Sequence, residues 1–203
     1  ARIKSDSQSA NKREQGGVNL IESEEISKGV IKFMQDCIKN KNKKSCLVVT
    51  MNNIQRDVID ENIRFLSSKD QAVSEYIGMW EETMEPFVVK NLENVQGDER
   101  DYIFISTLFG PNKENITMQR FGPINHPKGH RRLNVLFTRA KYGVELFTSL
   151  TPNLVGEGGE KGRQIFKSYL EYAKTERLET GNQSERDTDS DFEDWIKEEL
   201  EKL

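Results

Sequence analysis

The sequence predicts an α/β domain in which a mostly parallel sheet lies between two layers of helices. Two observations carry this. Short, continuous apolar runs without alternation read as strands covered on both faces, and they are separated by segments of helical period. Strands that alternate with helices build a doubly wound, mostly parallel sheet through right-handed crossovers. The chain of 203 residues is long enough for one large domain or one domain with an appendage.

Residues 1–18 are polar, include Gly16-Gly17 and show no period, so they are expected to form a flexible lead-in. The domain itself is expected over residues 19–175. In its first helix, residues 22–40, Ile26, Val30, Phe33, Met34, Cys37 and Ile38 fall at helical spacing. Ser23 is placed to cap it, and Glu24 and Glu25 suit the positive end of the dipole. The lysine-rich run 39–44 ends the helix, and Cys46-Leu47-Val48-Val49-Thr50 follows as a covered strand. Helices are expected at 54–66 and 70–81, and strands at 87–89, 102–107 and 143–148. The turn 96–101 and the Pro- and Gly-containing loop 110–129 connect them, and a helix at 130–140 precedes the last strand. Beyond the flexible segment 156–162, a helix at 163–174 carries Ile165, Phe166, Tyr169, Leu170 and Tyr172.

The end of the chain differs in composition. Residues 176–190 read as an acidic linker. Residues 191–203, with Phe192, Trp195, Ile196, Leu200 and Leu203 in an apolar stripe, read as the start of a further helix or of a following domain. From residue 175 onward there are 11 acids and 4 bases, so the net charge of -4 conceals a mildly basic body. Apolar residues at 34% and charged residues at 32% also fit a chain that is not packed throughout. No apolar run approaches the ~18 residues of a membrane span and no signal sequence opens the chain, so a cytoplasmic protein without membrane contact is expected. Cys37 and Cys46 lack metal-ligand spacing and are expected to be reduced core residues. Ala1 in place of Met, and an end inside an apparent helix, are expected of a piece of a longer protein.

Chemistry concentrates in two stretches. Between Gln119 and Lys141 stand Arg120, Lys128, Arg131, Arg132, Arg139 and Lys141, both histidines (His126 and His130), and no acid. Such an excess either faces a phosphate or polyanion or pairs with acids elsewhere in the fold. On a helix, Leu133, Leu136 and Phe137 would form the buried face, with Arg132 and Arg139 projecting alike from its two ends. An arginine held rigidly stabilises charge on a phosphoryl group in transfer. The second stretch is Asn94-Val95-Gln96-Gly97-Asp98-Glu99-Arg100-Asp101, where glycine lets backbone approach a ligand between two strands.

Together the two stretches resemble a known pattern. Val95 to Ser106, which opens Gln-Gly-Asp-Glu-Arg-Asp after the valine, resembles motif V of superfamily 1 nucleic-acid helicases. Arg131-Arg132-Leu133-Asn134-Val135-Leu136-Phe137-Thr138-Arg139-Ala140-Lys141 resembles motif VI. The closest likeness is to the branch holding the nonsense-mediated-decay helicase and the Dna-two type nuclease-helicases, and Phe121-Gly122-Pro123-Ile124-Asn125 also fits it. The likeness spans about residues 22–150.

The resemblance implies the second, C-terminal RecA-like domain, of the P-loop nucleoside-triphosphatase type, of a two-domain ATP-dependent motor. No Walker A sequence is present here. ATP with Mg would be held mostly by the upstream RecA-like domain of the same full-length chain, and this chain alone would be inactive. By the same resemblance Arg139 is the arginine finger and Glu99 bonds the ribose. Gly97 faces the phosphates, and Gln96 and Arg132 link motifs V and VI, although Arg132 equally reads as an ion-pair partner of Asp98 or Asp101. Thr50, Asn91 and Gln55 would meet single-stranded DNA or RNA. Met51 and Asn52 replace the Pro and Tyr that relatives carry after the threonine. The segment 189–196 resembles the first helix of a downstream nuclease-like domain. Against the motor stands a non-catalytic nucleic-acid-binding or docking module of the same fold, and a small complete nucleotide-binding protein ranks third.

Overall fold

The computed structural model describes residues 2–4, 17–112 and 116–179, the side chains through residue 175. Five parallel strands make one sheet in the order β1-β5-β4-β2-β3, with β1 at Arg2–Lys4, β2 at Cys46–Thr50, β3 at Val88–Asn91, β4 at Arg100–Ser106 and β5 at Ala140–Phe147. Helices α1 (Leu20–Lys39), α2 (Asn53–Ser67) and α3 (Gln71–Glu81) cover one face, and α4 (Gly129–Phe137) and α5 (Lys161–Glu179) cover the other.

The alternation inside the strands shows why both faces are covered. Leu47, Val49, Ile103 and Ile105 point to the α4 and α5 side, while Cys46, Val48 and Phe104 point to the α1, α2 and α3 side. All are buried, so β2 and the end of β4 carry apolar residues at consecutive positions. The three layers are those the apolar runs predict. Both cysteines are buried free thiols, and burial pushes the acidity of each thiol down, that is, its pKa up. No helix among the described residues is long and apolar enough to cross a membrane.

Four local differences matter below. The expected lead-in contributes an edge strand, since Arg2–Lys4 pairs in parallel with Glu145–Phe147. Asn19, not Ser23, caps α1, accepting from the Glu22 amide at 3.1 Å. Helix α4 stops at Phe137 instead of continuing to residue 140. Thr138 turns its amide and hydroxyl back to the Asn134 carbonyl, and the chain enters β5 at Ala140. Helix α5 runs on to Glu179, past the expected boundary at residue 175. The rest of the expected acidic linker and the whole of 191–203 lie outside the described residues.

Candidate functional site

Strand register sets the frame. Thr50 is level with Asn91 on β3 and with Ser106 on β4, and Ser106 is level with Phe147 on β5. This row is the C-terminal end of the sheet, where open α/β folds place ligands. Arg100 is level with Ala140 at the opposite end, roughly 20 Å away along six residues of strand. The residues singled out from the sequence divide between these two ends.

The motif V turn is built at the N-terminal end of β4. Val95 accepts from the Asp98 amide at 3.3 Å, and the turn needs Gly97 at φ +90°, a backbone that side chains rarely adopt. A Cβ at Gly97 would meet nothing within 4 Å, so backbone alone demands glycine and the space beside it is open. Arg100, 2% exposed, fastens the turn from below. Its Nη1 donates to the Glu99 carbonyl at 2.7 Å and its Nη2 to the Pro86 carbonyl at 2.8 Å. Lys90 holds Asp98 at 2.6 Å. With the backbone fixed in this way, the Glu99 side chain stands out into solvent.

Arg139 arrives at the same place from the other motif. It lies in the turn between α4 and β5, so it does not project from the helix alongside Arg132 as the sequence implied. Its carbonyl accepts from the Arg100 amide at 3.1 Å, and its Nη1 meets Glu99 Oε1 at 3.3 Å. The Arg139 Nε is buried and has no acceptor among the described residues. Two side chains forty positions apart, read from separate motifs, thus share one surface. Around them Gln96 is exposed and makes no hydrogen bond among the described residues. Arg132 pairs with neither Asp98 nor Asp101. Its Nη2 meets Glu93 at 3.4 Å and its Nη1 donates to the Pro123 carbonyl at 3.2 Å. It therefore joins α4 to the motif V segment through Glu93, not through Gln96.

The basic stretch resolves into two halves. Arg132, Arg139 and Lys141 meet Glu93, Glu99 and Glu85, so the pairing alternative holds for three of its six bases. Arg120, Lys128 and Arg131 are exposed, with no acidic partner among the described residues. His130 lies among them, its pKa lowered by burial first and then by Lys161 and Arg131.

At the C-terminal end the expected contact residues turn inward. Gln55, expected to face a nucleic acid, is 0% exposed. Its Oε1 accepts from the Asn19 amide at 2.8 Å, and its Nε2 donates to the Asn19 carbonyl and to Ser106 Oγ, both at 3.1 Å. In this structure it offers nothing to a ligand and holds α1 to the sheet instead. Thr50 is also 0% exposed, and its hydroxyl donates to the Asn52 carbonyl at 2.7 Å. Asn91 is 6% exposed. It caps the short helical turn Leu92–Asn94 and donates its amide to Asn53 Oδ1 at 2.5 Å. Asn53 and Ile54, at the start of α2, are the exposed side chains beside this row.

The sequence reading missed the center of this end, Asn19 and Glu22. The spacing Asn19-x-x-Glu22 is a capping-box spacing and was the available signal. The asparagine does cap the helix, but the Glu22 carboxyl is drawn away to Ser106 Oγ and the Leu108 amide, each at 2.6 Å. Among the described residues no group of three or more His, Cys, Asp or Glu side chains is placed to hold a metal ion, so Mg finds no site here and no step runs through it.

A five-stranded parallel sheet between helix layers, with an acid and an arginine meeting at one end, is a RecA-like α/β domain of the nucleoside-triphosphatase type. The chain belongs to the AAA-domain family, whose profile matches residues 1–150. It is 33% identical over 166 residues, 77% of its length, to an uncharacterized ATP-dependent helicase of Mycoplasma genitalium. A homologue of that protein from Mycoplasma pneumoniae is 33% identical to it over 142 residues, 65% of the chain. The matches cover only 14% and 12% of those two proteins' own lengths.

Proposed function

We propose that this chain is the C-terminal motor half of an ATP-dependent nucleic-acid helicase or translocase, of superfamily 1 type. Its helicase relatives support the class of activity. The observation that carries the assignment is the meeting of Glu99 and Arg139 at 3.3 Å on an open surface beside the Gly97 turn. An acid for a ribose hydroxyl, open backbone for phosphates and a partly covered cation for the γ-phosphate are the parts one domain needs to contribute to a shared ATP site.

In this reading Arg139 leaves Glu99 when the upstream domain presents ATP, and it places positive charge against the phosphoryl group in transfer. Glu99, freed of its partner, accepts from the ribose. Arg132 transmits the closure from α4 to the motif V segment through Glu93. Single-stranded DNA or RNA crosses the other end of the sheet. There Thr50, Asn91 and Gln55 shape the surface and the exposed Asn53 lies beside Asn91. Contacts of that kind position a strand without reading its sequence.

The test is ATP hydrolysis by the longer protein that includes the upstream domain, with and without single strands, comparing wild type with Arg139→Ala. Hydrolysis that depends on the strand and falls by about 10³-fold or more in the variant supports the assignment. Unchanged hydrolysis in the variant overturns the finger. Strand binding with no hydrolysis in the wild type favours the docking module.

A further inference from the structure

The Glu22 carboxyl is the most enclosed ionizable group at the C-terminal end of the sheet, and neither ATP binding nor hydrolysis has a use for it. It sits in the first turn of α1, 4% exposed. Oε1 already accepts twice, from Ser106 Oγ and from the Leu108 amide, each at 2.6 Å. Oε2 has only longer neighbours, Ser149 Oγ at 3.3 Å and Asn19 Nδ2 at 3.4 Å. Asn19 Nδ2 also donates to Ser149 Oγ at 3.0 Å. One carboxyl therefore ties α1 to the chain leaving β4 and to the chain leaving β5.

What it holds is a tense piece of backbone. Leu108 has φ +67°, a left-handed conformation costly for a branched side chain that is itself 2% exposed. Two residues on, Gly110 passes so close to Ser149 that a Cβ would lie 2.8 Å from the serine's own. The amide bond to Glu22 is what fixes Leu108 in this turn.

No cation compensates the site. The groups facing Glu22 are Gln55 by way of Asn19 and Ser106 from α2, Ser106 and the Leu108 amide from β4 and its exit, and Ser149 from the exit of β5, all neutral. On its own helix Glu24, Glu25 and Lys28 are exposed and pair with one another. On α2 Arg56 is engaged by Asp57 and Asn53. Burial accordingly pushes the Glu22 pKa up to about 7, the hydrogen bonds from Ser106 and Leu108 opposing it. The geometry accommodates that proton at Oε2, with Ser149 Oγ as its acceptor.

We propose that Glu22 is a positioning residue that latches the segment after β4 as a neutral acid, and that loss of its proton releases the segment 107–110 beside the Thr50, Asn91 and Ser106 row. The consequence for strand grip rests on the function proposed above, whereas the latch does not.

Amide hydrogen exchange of Leu108 from pH 6 to pH 8.5 tests the latch in the 203-residue chain. After correction for intrinsic chemistry, wild-type protection should fall about tenfold for each pH unit above the Glu22 pKa. Glu22→Gln keeps a neutral acceptor and donor and should give protection that does not vary with pH, while Glu22→Ala should lose it throughout. A wild-type profile as flat as that of the Gln variant, or full protection in the Ala variant, overturns the proposal. Fluorescence anisotropy of a labelled oligothymidylate and an oligouridylate, measured on the longer protein over the same range, tests the link to grip. Affinity that follows the exchange profile supports it, and affinity independent of pH while exchange responds overturns the link. Absence of all strand binding counts against the proposed function and leaves the latch to be judged by exchange.

Discussion

The two ends of the sheet use polar residues in opposite ways. At the C-terminal end Asn19, Glu22, Gln55 and Ser106 are all buried and bond to one another in a closed set. At the N-terminal end Glu99 and Arg139 meet in a single long contact, Gln96 contacts nothing described, and the Arg139 Nε lacks an acceptor. A polar group whose bonds are all internal has been committed to structure, because breaking them exposes buried donors and acceptors to no reward. A polar group with spare capacity on an open surface is available to a ligand. The contrast assigns folding to the first end and chemistry to the second.

The sharpest way to break this contrast is at Arg139. Its replacement by alanine should cost hydrolysis by the longer protein about 10³-fold or more while altering stability by under about 1 kcal/mol, since a surface ion pair contributes little. Thermal unfolding beside the hydrolysis assay checks both halves. Gln55→Ala should do the reverse. It leaves the Asn19 amide and carbonyl and the Ser106 hydroxyl short of partners in a dry site, at about 2–4 kcal/mol of stability. Urea unfolding measures this, and a loss under 1 kcal/mol would return Gln55 to the surface role its sequence neighbours suggest.

Glu22 carries the pH dependence of the buried end. Its carboxyl keeps a proton in the folded protein that the unfolded chain has lost, since burial raises its pKa from 4.5 to about 7. Stability contributed at this site is therefore fully present below about pH 4.5, declines as pH rises between the two values, and is flat above them. The gap corresponds to about 3 kcal/mol. Glu22→Gln should remove that decline, so wild-type and variant unfolding curves collected at pH 5 and pH 8 should differ in their pH response and not merely in midpoint.

Much of the fold was legible because it is local. Cys46–Thr50 is a strand in the structure as in the sequence, and the helices expected at 54–66 and 70–81 lie within two residues of α2 and α3. The boundaries that moved did so for reasons the local period does not carry. Helix α4 ends early because Thr138 folds back on Asn134, and Arg2–Lys4 becomes a strand only because β5 offers it an edge. The site was half legible. Glu99 and Arg139 come together as two motifs read side by side imply, but Gln55 and Thr50 are polar residues at helix and strand ends that sequence alone does not mark as inward. Gln55 is committed by Asn19, 36 positions away, and Glu22 by Ser106 and Ser149, 84 and 127 positions away. Partners at such separations are set by topology, which a single sequence shows only after the sheet order is known.

The smallest expected effect on folding is the most discriminating for function. Glu99 is 60% exposed along its side chain, and its one ion pair is long. Glu99→Gln should therefore leave the unfolding midpoint of this chain within about 1 kcal/mol of wild type. If Glu99 accepts from a nucleotide ribose, the same change in the longer protein removes a hydrogen bond to a charged group, which is worth about 1.5–3 kcal/mol. That raises KM for ATP by roughly 10-fold to 100-fold. Because the bond exists before and during phosphoryl transfer alike, kcat should stay near wild type. Arg139→Ala should show the opposite split, with kcat falling far more than KM rises. Should Glu99→Gln instead lower kcat and spare KM, Glu99 would be acting through Arg139, by holding the finger in place, and the ribose would have to be bound elsewhere.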